Sequence, residues 1–154
     1  MKRKTLLLSL LALLPLCAAW ADVEINETNF TDENFRNYLL SQSYGSDGVL
    51  TDEEIQNVTR IDILGESIQS LQGIEYFTAL TMLNCYDSQI TSLDMSKNKE
   101  LKDLMCVNNN QLTSLNISKN TVLNVLVCNR NSLTTLDLSK NAELRFLNCN
   151  NNEI

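Results

Sequence analysis

The sequence predicts a solenoid of parallel β coils, 21–22 residues per coil, behind a small α-helical N-terminal cap. Three observations predict it. Four cysteines, Cys85, Cys106, Cys128 and Cys149, recur at steps of 21, 22 and 21 residues. Around them the same apolar and asparagine positions return in phase, as in "LMCVNNNQLTSLNISKN" from Leu104 and "LVCNRNSLTTLDLSKN" from Leu126. Residues 22–60 lack that period and carry helix signals instead. A fixed period in this range marks a repeat architecture, in which each unit packs on its neighbours.

The chain opens with a leader. Met1 to Lys4 carry three positive charges, Thr5 to Leu16 are almost wholly apolar, and Ala19-Trp20-Ala21 fits an A-x-A cleavage site. Residues 1–21 are expected to be a secretory signal peptide cleaved after Ala21, which places the protein outside the cell or on its surface. The apolar run is too short to span a bilayer, so no membrane span is expected after cleavage. A lipoprotein signal acylated at Cys17 is the weaker reading, because Leu16 stands where that cleavage wants a small residue.

Cleavage would leave 9 basic and 19 acidic residues, a net charge of −10. The acids crowd into residues 22–92, where 13 face only Arg36 and Arg60. Such a surface argues against nucleic acid, which needs a basic footprint. There is no histidine, and so no side chain whose ordinary pKa lies near neutrality.

The cap, residues 22–60, reads as helix–loop–helix. In "FTDENFRNYLLSQ", Thr31 is the expected N-cap, with Asp32 and Glu33 in the first turn. Phe35, Tyr38 and Leu39 form the expected buried stripe. In "LTDEEIQNV", Thr51 and Glu54 have capping-box spacing. Between the helices, "SYGSDGVLTDEE" keeps part of an EF-hand loop. Gly48 takes the sixth place and Glu54 the twelfth, with Asp47, Val49 and Thr51 at the fifth, seventh and ninth. Ser43 and Gly45 occupy the first and third places, where a calcium loop wants carboxylates. A structural loop is the expected role. A weak calcium site at Asp47, Val49, Thr51 and Glu54 is the lesser alternative, and no other cofactor is expected.

The coils, residues 61–154, begin with an atypical unit. Ile61 and Ile63 alternate, then Ile68, Leu71, Ile74, Phe77, Leu80 and Leu83 step by three. That step suits 3₁₀ turns, with Gly65 and Gly73 at bends. Later units have two halves. Leu104-x-Cys106-x-x-Asn109 is answered by Leu115-x-Ile117-x-x-Asn120, and Leu126-x-Cys128-x-x-Asn131 by Leu136-x-Leu138-x-x-Asn141. Each half predicts a short strand with two inward side chains, because strand side chains alternate. Asn98, Asn109, Asn120, Asn131, Asn141 and Asn152 fall where the chain must bend. There an amide side chain can satisfy backbone groups that have no ladder partner.

These motifs resemble the bacterial leucine-rich repeat of 21 residues with a nested half-period, written here L-x-x-L-x-C-x-x-N-x-L-x-x-L-D-L-S-K-N. The resemblance runs through residues 83–154. The cap and "SIQSLQGIEYFTALTMLNC" resemble the N-terminal region of internalins. The resemblance implies a non-enzymatic binding module that serves protein–protein interaction or adhesion at the cell surface. The alternative is a scaffold or targeting segment of a larger surface or secreted enzyme. The repeat stops at Ile154 in mid-unit, so a longer protein is expected.

Nothing in the sequence predicts catalysis. Cys85, Cys106, Cys128 and Cys149 should form a straight structural ladder. A parallel stack spaces them about 4.8 Å apart, close for a disulfide and without the convergence zinc needs. Packed free thiols are the expected state. The outward neighbours on the cysteine strands are more apolar than a solvated face requires. Met82, Tyr86, Met105, Val107, Val125, Val127 and Phe146 are the candidate ligand-binding face. The expected partner is a protein.

Overall fold

The computed structural model describes residues 22–65 and 67–154, so the expected signal peptide, with Cys17, lies outside the described residues. Strand β1 (Val23–Glu24), helix α1 (Glu33–Ser41), strand β2 (Val49–Leu50) and helix α2 (Asp52–Asn57) make the N-terminal unit. The coils carry β3 (Arg60–Leu64), β4 (Met82–Tyr86), β5 (Ser92–Asp94), β6 (Asp103–Met105), β7 (Ser114–Asn116), β8 (Val125–Val127) and β9 (Phe146–Asn148). Five strands form one parallel sheet in the order β3-β4-β6-β8-β9. Each strand lies one coil further along the chain, so the sheet follows the solenoid axis.

Register follows the apolar pattern. Ile61, Leu83, Leu104, Leu126 and Leu147 align across the sheet. The first four are fully buried, as are Ile63, Cys85, Cys106 and Cys128. Burying one such leucine or isoleucine contributes about 1.5–3 kcal/mol. No coil buries this row alone; the column closes only when coils stack. In the last coil Leu147 is 40% exposed and Cys149 half-buried, since nothing among the described residues stacks on them.

The cap closes the other end. Phe30, Phe35, Leu39, Leu50 and Ile55 join the same core as the coils. The Tyr38 hydroxyl accepts a hydrogen bond from the Asp62 N–H at 3.2 Å. That bond satisfies a donor on the outer edge of β3, where an open strand would invite pairing with another chain. The capping box at α2 forms as predicted, with Glu54 N–H on Thr51 Oγ1 at 3.2 Å and Thr51 N–H on Glu54 Oε2 at 2.9 Å. The expected Thr31 cap is corrected to Asp32. Its Oδ1 accepts from Phe35 N–H, while Oδ2 accepts from Gln69 and Ser70 N–H of the first coil. One carboxylate thus starts the helix and docks the cap, and only Asp32 is placed for both. Tyr38, expected in the buried stripe, is half-buried.

Two expectations about the coils also need correction. The three-residue step is kept from Leu71 to Leu80, where Ile74 N–H bonds Leu71 O, Phe77 N–H bonds Ile74 O and Leu80 N–H bonds Phe77 O. Only Ile74–Tyr76 is a 3₁₀ helix, however, and Ile68 to Leu71 is irregular chain. The second strand side forms in two coils only, β5 pairing with β7 in parallel. The segment around Leu136 and Leu138 has the right residues but no strand, and both leucines are partly exposed. In the first coil, Ser70–Gln72 stands at the matching place and takes a different path.

Asparagines hold the bends in two ladders. Asn98 Nδ2 donates to Ile74 O and Phe77 O, Asn120 to Met95 O and Asn98 O, and Asn141 to Ile117 O and Asn120 O. Opposite them, Asn109 donates to Cys85 O, Asn131 to Cys106 O and Cys128 O, and Asn152 to Cys128 O and Cys149 O. Each amide therefore ties its own coil to the one before. Five of the six are buried and Asn152, in the last coil, is half-buried.

A further device ends each strand of the large sheet. Gly65, Asp87, Asn108, Arg130 and Asn151 all have positive φ, between 55° and 66°. Glycine takes this conformation freely, and Asn and Asp tolerate it best among the rest.

Candidate ligand-binding face

The face is built by strand alternation. With Ile61/Ile63 and their equivalents turned inward, the neighbours form three outward columns. Arg60, Met82, Asp103, Val125 and Phe146 align in the first, and Asp62, Asn84, Met105, Val127 and Asn148 in the second. Leu64 aligns with Tyr86 in the third, where Val107 follows one coil later.

The columns are partly exposed throughout. Met82, Met105, Val107, Val125 and Val127 are intermediate, whereas Leu64 is 59%, Tyr86 39% and Phe146 54% exposed. All seven residues expected on the face stand on this one side of the large sheet, save that Val107 lies just beyond the end of β6. Leu64 belongs with them and was missed. Its signal was available: Ile61 and Ile63 point in, so Arg60, Asp62 and Leu64 point out. At the N-terminal end the Arg60 guanidinium pairs with the Asp62 carboxylate and reaches Met82 Sδ at 2.7 Å. That pair makes the N-terminal end of the columns polar, and Asp103 interrupts the first column between Met82 and Val125.

The cysteine ladder lies directly behind the face. Cys85, Cys106, Cys128 and Cys149 are all free thiols. Burial pushes Cys85 and Cys128 up to about 12, and raises Cys106 well above the ordinary thiol value. These three stay protonated at neutral pH and are inert as nucleophiles, since the thiolate is the reactive form. Cys85 Sγ lies 3.7 Å from Met105 O.

The degenerate loop is occupied by its own hydrogen bonds. Asp47 Oδ1 accepts from Val49 N–H at 3.1 Å, and Val49 itself lies in β2 against β1. Glu54 Oε2 accepts from both the N–H and the hydroxyl of Thr51. Gly48 supplies the turn at φ +86°. Among the described residues no group of three or more His, Cys, Asp or Glu side chains converges on a common point. No described helix is long and apolar enough to cross a membrane.

This geometry has close counterparts. Internalin J of Listeria monocytogenes serotype 4b (strain F2365) is 36% identical over 70 residues, which is 45% of this chain and 8% of internalin J. A solved structure of the functional domain of internalin J from Listeria monocytogenes, described as including a cysteine ladder, superposes with a TM-score of 0.76. It is 34% identical, across 87% of this chain and 30% of that one. The chain is an internalin-like leucine-rich repeat protein. No family model matches the sequence. The internalin-like chain spans less than a third of the length of either relative. Its fold is compatible with a protein-interaction module.

Proposed function

We propose that this internalin-like chain is an exported, non-enzymatic binding module that captures a protein ligand on the outward face of its large sheet. The observation that carries this reading is the apolar surface of Met82, Met105, Val125, Val127 and Phe146, flanked by Leu64 and Tyr86. Asp103 and Asn84 stand among these side chains, and exposed apolar surface set beside polar groups often marks an interaction site. Met and aromatic residues are enriched where partners bury surface. The sheet behind it is held by a packed core and two amide ladders, so little ordering cost attaches to binding. Adhesion at the cell surface, after removal of residues 1–21, is the setting this reading favours. No cofactor takes part.

Photo-crosslinking tests it. A crosslinking phenylalanine analogue at position 105 or 127 should trap a protein from cells to which the chain adheres. The same analogue at position 118 or 139, on the other side of the coils, should trap none. Equal trapping from both sides would contradict the proposed face.

A further inference from the structure

A second feature lies away from this face, where the first coil departs from its neighbours. Ser70–Gln72 sits one coil before β5 and, in a regular stack, would pair with it. It does not. Gln89 N–H still bonds Ile68 O at 2.8 Å, but no backbone hydrogen bond joins residues 70–74 to Ser92 or Asp94 among the described residues. The gap is a cavity of about 350 Å³ lined by Ser70, Gln72, Glu75, Ser92, Asp94 and Lys97, above the nearly buried Leu71 and Leu93.

The free edge of β5 faces that cavity. Thr91 O accepts from Thr113 N–H at 3.0 Å, and Met95 N–H donates to Asn116 O at 2.9 Å. Residues 91 and 95 therefore turn their backbone groups toward β7. Strand groups alternate with a period of two, so Ser92 and Asp94 turn theirs into the cavity. Two N–H and two C=O groups thus line one wall, which is what a pairing strand recognises.

Charge narrows the occupant. Asp94 uses Oδ1 for Ser96 N–H and Asn116 Nδ2, and Glu75 uses Oε2 for Gly73 N–H. Their second oxygens, Asp94 Oδ2 and Glu75 Oε1, are unpaired among the described residues. The wall thus carries two carboxylates, Glu75 and Asp94, against the single ammonium of Lys97. The volume lies at the low end for ligand sites, about 300–1,000 Å³, and the edge is three residues long. Both suit a short extended stretch of chain.

We propose that this notch binds an extended peptide segment carrying a lysine or arginine, which adds to the free edge of β5 as a third strand. The edge supplies backbone pairing and the carboxylates supply the preference for a basic side chain. This site is separate from the sheet face and does not depend on it.

The test uses the full chain, isotopically labelled for amide hydrogen exchange. The probe is a pool of acetylated, amidated pentapeptides with lysine at the centre and valine or threonine elsewhere. At millimolar peptide the Ser92 and Asp94 amides should exchange at least tenfold more slowly, with β6 and β8 unchanged. A pool N-methylated on its backbone should give no protection, and a glutamate-centred pool should give less. Ser92→Pro removes the edge donor without touching the β7 ladder and should abolish protection at Asp94. Asp94→Asn keeps the turn contacts and should weaken the lysine pool several-fold. Unchanged exchange at millimolar peptide, or equal protection by the N-methylated pool, overturns the strand-addition claim. Equal binding of the glutamate pool, or an unaffected Asp94→Asn variant, overturns the charge preference.

Discussion

Asn120→Ala isolates the contribution of the amide ladders. Asn120 is fully buried and its Nδ2 donates to Met95 O at 3.0 Å and Asn98 O at 2.7 Å. Neither carbonyl is left bare by the substitution, because Asn98 N–H still bonds Met95 O and Leu101 N–H still bonds Asn98 O. The loss is therefore two net hydrogen bonds, about 0.5–1.5 kcal/mol each, or about 1–3 kcal/mol in total. Asn120→Asp is nearly isosteric but turns an acceptor toward two carbonyls and buries a charge. It should cost more than the alanine, about 3 kcal/mol or above. Asn152→Ala removes the equivalent pair in the half-buried last coil and also the bond that Leu133 N–H donates to Asn152 Oδ1 at 3.1 Å. Water reaches these groups, so it should cost about 1–2 kcal/mol, within the lower part of the same range. Urea unfolding followed by circular dichroism at 25 °C reads all three as shifts in midpoint at constant slope. A loss under about 0.5 kcal/mol for Asn120→Ala, or an aspartate variant no worse than the alanine, would refute the ladder argument.

Other expectations follow from the same geometry. A Cβ at Gly73 would lie 2.1 Å from Phe30 Cδ1 and 2.8 Å from Asn29 O, at φ +103°, whereas Gly48 faces open space at φ +86°. Gly73→Ala should therefore cost about 2–5 kcal/mol and Gly48→Ala about 1 kcal/mol in thermal unfolding; similar losses would contradict the packing of cap on coil. The folded thiols of Cys85 and Cys128 sit near 12 and Cys106 is raised likewise, against about 8.5 for an unfolded cysteine. Their contribution is complete below about pH 8.5 and is lost as pH rises toward 12, by about 1.4 kcal/mol per thiol per pH unit. Cys106→Ser should be less stable at pH 7 and lose less on going from pH 9 to 11; a mobility change of the wild type on reduction would instead reveal a disulfide. Calorimetric titration with calcium should give no heat at millimolar ion, because Glu54 and Asp47 already hold backbone and hydroxyl donors; a saturable heat lost in Glu54→Gln would show a working loop.

Much of this fold was legible because a stacked coil writes its period into the sequence. The phase of Leu104/Cys106 and Leu126/Cys128 fixed the inward rows, hence the outward columns, and the Asn positions marked the bends. What escaped was decided between segments distant in sequence. Asp32 rather than Thr31 caps α1 because residues 69 and 70 dock on it. The first coil's three-residue step did not reveal that Ser70–Gln72 would leave β5 unpaired. Leu136 and Leu138 carry the strand pattern, yet no strand forms there beside β7, since alternation places side chains but does not by itself bring backbone groups into pairing distance. The left-handed positions were readable at Gly65, but Arg130 gives no local hint; it follows only from alignment with Asp87 and Asn108. The outward columns were legible as a surface, while a ligand is not a property of the fold.

The most direct test of the binding reading is a comparison on an array of purified extracellular proteins. Residues 22–154 are set beside a Met105→Lys, Val127→Lys double variant and a Lys119→Glu control, each first shown to melt as the wild type does. Binding that survives Lys119→Glu and falls at least tenfold in the double variant is the predicted result. Binding undiminished in the double variant, or no protein bound by the wild type, would contradict it.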